Sequence, residues 1–282
     1  MTEVLFGKDT VIKNAENFGL CEIFDCGQSF RFNRDTECDK VKYSGVAFGK
    51  YLEIYEDGND IVLSGVTKDD FENIWRGYFD FDRDYGKIIS SISDAHARKC
   101  AEYGKKIRIL RQEPWETVCS FIISQNNNIP RIKKIIETIS QKFGEKKLSD
   151  GGKEYFVFPT AKALYDAGEK AIFDCKTGFR AKYIYDAARR FASGEFDINK
   201  AQKLDAAGLD EELRKICGVG PKVAACVGLF GFSHYESFPI DVWIKRVIEK
   251  YYGDGFDVSM FGENAGIVQQ YLFYYERSLK NE

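Results

Sequence analysis

The sequence feature that most constrains the fold is a change of hydrophobic pattern near residue 95. Before it, residues 41–65 are rich in Val, Tyr and Ile, and Gly58–Asn59 separates two apolar stretches in the manner of a β-hairpin. After it, apolar side chains recur every three or four residues, most clearly at 128–143, with Asn128 as the expected N-cap and Gly144 as the stop. We therefore predict an α+β fold, with an N-terminal antiparallel β-sheet domain at 1–95 and a mainly helical region at 96–282.

Local signals predict the other elements. Residues 18–32 are expected to add one or two strands, and a helical pattern begins at Lys68. In the second region, Thr160 is expected to cap a short helix. Further helices are predicted at 179–193, 209–217, 221–230, 241–251 and 263–279.

Charge is distributed unevenly along the chain. The 282 residues carry a net charge of −3, which excludes a protein that is basic all over its surface. Residues 51–95 nevertheless carry 11 acidic against 4 basic residues, whereas residues 96–135 carry 9 basic against 3 acidic residues. This asymmetry favours one face that binds a polyanion.

The cysteines and histidines do not form a metal-binding pattern. None of the eight cysteines forms a C-x-x-C pair, there are two histidines, and no cysteine follows Cys226. Zinc sites and four-cysteine iron–sulfur loops are therefore not expected. The N-terminus lacks a secretion signal and no apolar run reaches the ~20 residues of a membrane span, so a cytoplasmic protein with free thiols is expected.

The most informative motif joins two of the predicted short helices through Gly218-Val219-Gly220. Glycine permits positive φ and leaves the backbone open to a ligand. Amide groups at the start of the following helix are then available to a phosphate. A turn that uses glycine only for packing is the alternative interpretation of this motif.

Two residues beside this hairpin carry chemically useful groups. Lys222 falls in the first turn of the second helix, where its amine is a candidate nucleophile. Asp241 follows 19 residues later and opens another helix, so it is a candidate for a charged group at a reaction centre. A solvated surface lysine and a simple N-capping aspartate are the alternatives.

Together these residues resemble a known family. The segments GVGPKVA and FPIDV resemble the helix–hairpin–helix Gly/Pro–Asp signature of DNA base-excision glycosylases. Within that superfamily the chain resembles the eukaryotic type of 8-oxoguanine DNA glycosylase/lyase. The matching segments lie in the same order along nearly the whole chain: GQSFRF (27–32), RQEPWETVCSFIISQNNNIPRI (111–132), GFRAKY (178–183), the hairpin (209–230) and AGIVQQYLF (265–273).

The resemblance implies an activity and a base pocket. Lys222 would attack C1′ and form a Schiff base, Asp241 would stabilise the positive charge on the sugar, and β-elimination would nick the abasic site. The carbonyl of Gly27 would accept a hydrogen bond from N7–H, which 8-oxoguanine has and guanine lacks. Cys226 and Phe273 would sandwich the flipped base, and Gln269 would read its Watson–Crick edge. From the residues alone, two alternatives remain open: Gly27 as a glycine of a β-bulge, and Cys226 and Phe273 as residues of the apolar core.

The resemblance also implies a second group, which contacts the opposite strand. Asn126 would fill the space left by the flipped base, Arg131 and Arg180 would read the orphaned cytosine, and Phe179 would be the wedge that kinks the duplex. Relatives usually carry tyrosine at the wedge position. The alternative interpretation is that the two arginines are ordinary solvent-exposed residues on a helix face.

Further expectations concern partners and cofactors. The hairpin residues Gly218, Val219 and Gly220 would bind a phosphate, and no cofactor or metal site is expected apart from a possible cation on hairpin carbonyls such as those of Ile216 and Val219. The expected partner is double-stranded DNA containing 8-oxoguanine. The protein is expected to be a monomer without membrane contact. It is expected to act at the nucleoid of a prokaryote or in the nucleus of a eukaryote. A glycosylase of this fold for another damaged base, or a non-catalytic DNA-binding protein, are the alternatives.

Overall fold

A computed structural model describes residues 3–279. Its N-terminal part is built on one antiparallel sheet in the order β1-β2-β6-β5-β4-β3. The strands are β1 (Val4–Phe6), β2 (Thr10–Ile12), β3 (Asn33–Asp35), β4 (Lys42–Ala47), β5 (Lys50–Asp57) and β6 (Asp60–Leu63). The β5–β6 turn contains Gly58 at φ +63°, so the predicted hairpin is confirmed.

One helix comes between β2 and β3, and the others come after β6. They are α1 (Leu20–Phe24), α2 (Lys68–Asp70), α3 (Arg76–Tyr78), α4 (Tyr85–Ser91), α5 (Ala95–Tyr103), α6 (Pro114–Ser124), α7 (Ile129–Phe143), α8 (Ala161–Ile172), α9 (Ala181–Ser193), α10 (Ile198–Ala201), α11 (Ala206–Leu213), α12 (Pro221–Gly231), α13 (Val242–Val247) and α14 (Ala265–Ser278). A π-helical turn (Phe71–Trp75) joins α2 to α3, and others extend α8 (Phe173–Thr177) and α13 (Ile248–Tyr252). Short 3₁₀ segments are Gly178–Arg180, Gly253–Gly255 and Val258–Asn264.

Two predictions of local structure need correction. Residues 18–32, expected to form strands, contain helix α1, whose buried side chains Leu20, Ile23 and Phe24 follow a helical spacing. The helical region also holds a small hairpin of β7 (Lys146–Leu148) and β8 (Glu154–Phe156), which was not predicted. Its strands are short and rich in charge, so they lack the alternating apolar pattern of a strand.

Two apolar cores hold the molecule together. One is packed against the sheet and centres on Trp75, Tyr43 and Phe79, and it also includes Leu110. The other lies among the helices and includes residues of α4 such as Ile88. The α+β prediction is confirmed, while the division of the chain after residue 95 remains a prediction.

Candidate active site

Six of the residues singled out from the sequence meet in one pocket. The pocket encloses about 350 Å³ of space, including its opening to solvent. Its walls come from the loops before β3 and before α13 and from α6, α12 and α14. They consist of Cys26, Gly27, Phe121, Lys222, Cys226, Phe230, Pro239, Asp241, Gln269, Gln270 and Phe273.

Lys222 is half-buried in the first turn of α12. Its Nζ lies 5.3 Å from the centroid of the Phe121 ring, which forms another part of the pocket wall. Burial raises the pKa of the neighbouring Cys226 thiol, and the positive charge of Lys222 acts in the opposite direction. The amine therefore lies inside the cavity, close to Cys226.

Asp241 serves as a helix cap and as a pocket wall at the same time. Its Oδ1 accepts hydrogen bonds from the backbone amides of Trp243 and Ile244, both at 2.9 Å, and so begins α13. Among the described residues no hydrogen bond is made to Oδ2. The capping and reaction-centre interpretations are therefore compatible, because the cap fixes the carboxylate at the edge of the cavity.

Gln269 offers the pocket an unpaired acceptor. Its side chain is on α14 and only 4% exposed. In the described part of the chain, its Oε1 has no hydrogen-bond partner. An unsatisfied buried amide oxygen costs about 1–3 kcal/mol, so this atom favours a ligand that brings a donor into the pocket.

Gly27 and Phe273 lie against each other in the pocket wall. Gly27 has φ +81°, which side chains rarely adopt, and a Cβ there would lie 3.7 Å from the Phe273 ring. The Arg277 guanidinium lies 5.2 Å from the centroid of that ring. The glycine is therefore required by the backbone conformation rather than by lack of space.

The hairpin glycines have different roles. Gly218 has φ +78°, and a Cβ there would lie 2.4 Å from atoms of the Tyr183 ring. A Cβ at Gly220 would meet nothing within 4 Å, so the start of α12 is open to a ligand. The Val219 amide between them donates to the Ile216 carbonyl at 3.1 Å.

Metal binding has little side-chain support. No cluster of three His, Cys, Asp or Glu side chains suited to a metal occurs within residues 3–279. A cation on the hairpin carbonyls would not need such a cluster, and it stays a prediction.

The predicted opposite-strand residues lie outside this pocket, and they differ in exposure. Asn126 is exposed at φ +48°, Arg131 is exposed on α7, and Phe179 is 53% exposed. Arg180 is only 3% exposed. Burial lowers the pKa of Arg180, and the positive charge of Arg131 lowers it further.

Most hydrogen-bond donors of Arg180 are already engaged. Its Nε and Nη2 both donate to the Gln125 carbonyl, Nη2 also donates to the Asn126 carbonyl at 3.0 Å, and Nη1 donates to the Thr177 carbonyl at 3.2 Å. A guanidinium has five N–H groups, so one remains. Arg180 can therefore make a bidentate contact with a base only after giving up a bond to this loop.

The basic segment 96–135 contributes less surface charge than its composition suggests. Four of its nine basic side chains bind acceptors of the protein itself: Arg98 at Ile92, Arg108 at Phe79 and Asp80, Arg111 at Tyr235 and Asp80, and Lys133 at Phe32. Lys99, Lys105 and Lys134 remain exposed together with Arg131. Part of the predicted DNA-facing charge is thus structural.

Sequence reasoning missed four residues that shape the pocket. Gln28, Gln112 and Gln270 hold the backbone around Gly27, and Cys26 lies beside it. Gln28, Gln112 and Gln270 all lie in the segments that resemble the family, but their amide groups gave no periodic or charge signal. Their role depends on contacts between distant segments of the chain.

The fold and the pocket define a helix–hairpin–helix DNA repair protein. Residues 119–257 match the model of the HhH-GPD superfamily of base-excision DNA repair proteins, and residues 10–118 match that of the 8-oxoguanine DNA glycosylase N-terminal domain. An N-glycosylase/DNA lyase of Saccharomyces cerevisiae is 31% identical over 88% of this chain and 71% of its own length. The chain belongs to the 8-oxoguanine N-glycosylase/DNA lyase family.

Solved structures agree with this assignment. The 8-oxoguanine glycosylase/lyase of Clostridium acetobutylicum, in complex with double-stranded DNA containing cytosine opposite 8-oxoguanine, is 40% identical. The match covers 99% of this chain and 98% of that one, with a TM-score of 0.90. A 3-methyladenine DNA glycosylase of Archaeoglobus fulgidus, at 18% identity and a TM-score of 0.69, shares the fold. Across residues 3–279, none of the helices has the length and apolar character needed to cross a membrane.

Proposed function

We propose that this protein is a base-excision repair enzyme that removes 8-oxoguanine from duplex DNA and nicks the resulting abasic site. The observation that carries the proposal is the meeting of an amine, a carboxylate and an unpaired amide oxygen in one pocket: Lys222, Asp241 and Gln269. The family relationship over nearly the whole chain supports the same activity. A non-catalytic DNA-binding protein would not need this combination.

In the proposed reaction, the damaged nucleotide leaves the base stack and enters the pocket. The Lys222 amine attacks C1′, the N-glycosidic bond breaks, and the base leaves with the bonding electron pair and takes up the proton that the attacking nitrogen loses. Opening of the sugar ring at the C1′–O4′ bond then gives a Schiff base. Loss of a proton from C2′ breaks the bond from C3′ to the phosphate oxygen, which nicks the strand.

Asp241 is proposed to act on the first step. Positive charge develops on the sugar as the glycosidic bond breaks, and a fixed carboxylate stabilises that charge. Because Oδ1 is held by the amides at the start of α13, the carboxylate does not need to be ordered by the substrate.

Base recognition is proposed to combine three contacts. The Gly27 carbonyl accepts from N7–H, Gln269 pairs with the Watson–Crick edge, and the base lies between Cys226 and Phe273. Guanine has an acceptor at N7, so it would place two acceptors against each other at Gly27. The difference of one proton would then separate lesion from normal base.

The opposite-strand contacts are proposed for Asn126, Arg131, Phe179 and Arg180, and the phosphate contact for Gly218, Val219 and Gly220. The reaction requires no cofactor, and a cation bound by the hairpin carbonyls would assist phosphate binding only.

We also propose that the protein acts as a monomer wherever the chromosome lies: at the nucleoid in the cytoplasm of a prokaryote, or in the nucleus of a eukaryote.

A single-turnover assay tests the proposal. Duplexes carrying 8-oxoguanine, 3-methyladenine or guanine opposite cytosine are incubated with excess protein, and abasic sites are revealed by hot alkali. Release of 8-oxoguanine alone is expected. Release of 3-methyladenine with intact 8-oxoguanine would instead favour a glycosylase for alkylated bases, and release of neither would leave a DNA-binding protein without catalysis.

A further inference from the structure

The loop at residues 26–28, which contains Gly27, is held from both sides by glutamine side chains. Nε2 of Gln270 donates to the Cys26 carbonyl at 2.9 Å, and Nε2 of Gln112 donates to the Gln28 carbonyl at 2.8 Å. Within the described part of the chain, no hydrogen bond is made to the Gly27 carbonyl between them. Both neighbouring carbonyls are therefore paired and the middle one is left open.

The Cys26 thiol adds a side-chain contact within the same loop. Nε2 of Gln28 donates to the Cys26 sulfur at 3.3 Å. Burial raises the pKa of Cys26 to about 11, so the group remains a thiol at neutral pH and donates to the Ile23 carbonyl at 3.3 Å. The two residues on either side of Gly27 are therefore hydrogen-bonded to each other and to α1.

Gln28 ties the same loop to a distant segment. It is fully buried; its Nε2 donates to the Arg108 carbonyl at 2.8 Å and its Oε1 accepts from the Leu110 amide at 2.9 Å. Moving the loop would leave several buried polar groups without hydrogen-bond partners, which is unfavourable. The loop therefore has one strongly preferred conformation before any ligand arrives.

We propose that Gln270 and Gln112 are positioning residues that hold the Gly27 carbonyl in place as the acceptor for N7–H of a flipped 8-oxoguanine; this inference rests on the proposed function. Two consecutive glutamines of α14 would then have different roles. Gln269 presents its unpaired oxygen to the pocket, whereas Gln270 turns to the loop and orients a backbone atom. Neither positioning residue takes part in the lysine chemistry.

The inference separates base removal from strand nicking. Excision of 8-oxoguanine needs the Gly27 carbonyl, whereas nicking of a preformed abasic site has no base to recognise. Gln270→Met keeps the volume and removes the donor, so excision is expected to fall about tenfold while nicking changes less than about twofold. Gln112→Met loosens the loop from the other side and is expected to act in the same direction.

The experiment measures both single-turnover rates for wild type, Gln270→Met, Gln112→Met and the control Gln141→Met, an exposed glutamine paired with Glu137. A selective loss of excision in the first two variants, with the control unchanged, supports the inference. Equal loss of excision and nicking, or no loss of either, would overturn it, because the glutamines would then be structural or dispensable. If wild type releases no 8-oxoguanine, the proposed function itself fails and the inference falls with it.

Discussion

The base pocket and the opposite-strand residues differ in how far each is built before DNA binds. In the pocket, Asp241 is fixed by two amides, Gly27 lies in a braced loop, and Gln269 has an open acceptor. Among the residues proposed to contact the opposite strand, Phe179 and Arg131 are exposed, and four of the five N–H groups of Arg180 donate to carbonyls of the protein itself. For the proposed function, the pocket is therefore preorganised, whereas Arg180 has to give up a bond to the protein before it can make a bidentate contact with the opposite base.

The largest expected effect is at Lys222. Lys222→Gln removes the amine, so nicking of a preformed abasic site should fall about 10³-fold or more while the duplex is still bound. The measurement is single-turnover cleavage, with binding followed by fluorescence anisotropy. Lys162→Gln is the control, since Lys162 is exposed and pairs with Asp166 at 2.6 Å. Full nicking activity in Lys222→Gln would show that another residue is the nucleophile.

The substitution Asp241→Asn distinguishes the helix-capping role of Asp241 from the role of its carboxylate charge. Asparagine accepts the same amide hydrogen bonds, so the melting temperature should be unchanged, but excision should slow by about 10²–10³-fold because the carboxylate charge is lost. Asp205→Asn is a matched control, because Asp205 caps α11 through the Gly208 amide at 2.8 Å outside the pocket. Wild-type excision by Asp241→Asn would reduce this residue to a helix cap.

The two hairpin glycines are expected to serve different properties: Gly218 the stability of the fold, and Gly220 the binding of DNA. Gly218→Ala combines a left-handed backbone with a Cβ 2.4 Å from the Tyr183 ring, so we expect a loss of about 2–4 kcal/mol in the free energy of unfolding. Gly220→Ala meets nothing within 4 Å and should keep its stability. Chemical denaturation measures the first effect and anisotropy with undamaged duplex measures affinity. If Gly220→Ala binds DNA as wild type does, no phosphate lies against that turn.

The smallest expected effect lies on the opposite strand. Wild type should excise 8-oxoguanine opposite cytosine about 5- to 10-fold faster than opposite adenine, the lower end of what a good base contact supplies. Arg131→Ala should flatten this ratio, while Lys134→Ala, an exposed basic residue on the same helix, should keep it. Single-turnover rates on the four opposite-base duplexes give the ratio. An unchanged ranking in Arg131→Ala would assign the cytosine contact elsewhere.

Regular patterns made much of the fold predictable from sequence. The apolar period of 128–143 gave helix α7 within one residue, and Asn128 caps it through the Arg131 amide at 3.0 Å, as predicted. Such features depend on neighbours along the chain. Helix α1 was mistaken for a strand because its five residues are too few to establish a helical period against a β-rich background.

Long-range contacts limited what the sequence could say about the site. Motif spacing identified Lys222 and Asp241, which lie near each other along the chain. The hydrogen bond from Gln270 to the Cys26 carbonyl joins residues 244 positions apart, and nothing local marks either partner. Likewise, Arg180 is indistinguishable in sequence from an exposed arginine, but three of its N–H groups donate to carbonyls of the 125–126 turn.

Borohydride trapping tests the central claim most directly. The reagent reduces a Schiff base to a stable amine, so the protein becomes covalently linked to DNA only if an amine has replaced the base at C1′. Wild type incubated with an 8-oxoguanine·cytosine duplex should give a cross-linked species, and peptide mass analysis should place the modification on Lys222. Absence of the cross-link in wild type, or an undiminished cross-link in Lys222→Gln, would contradict the account.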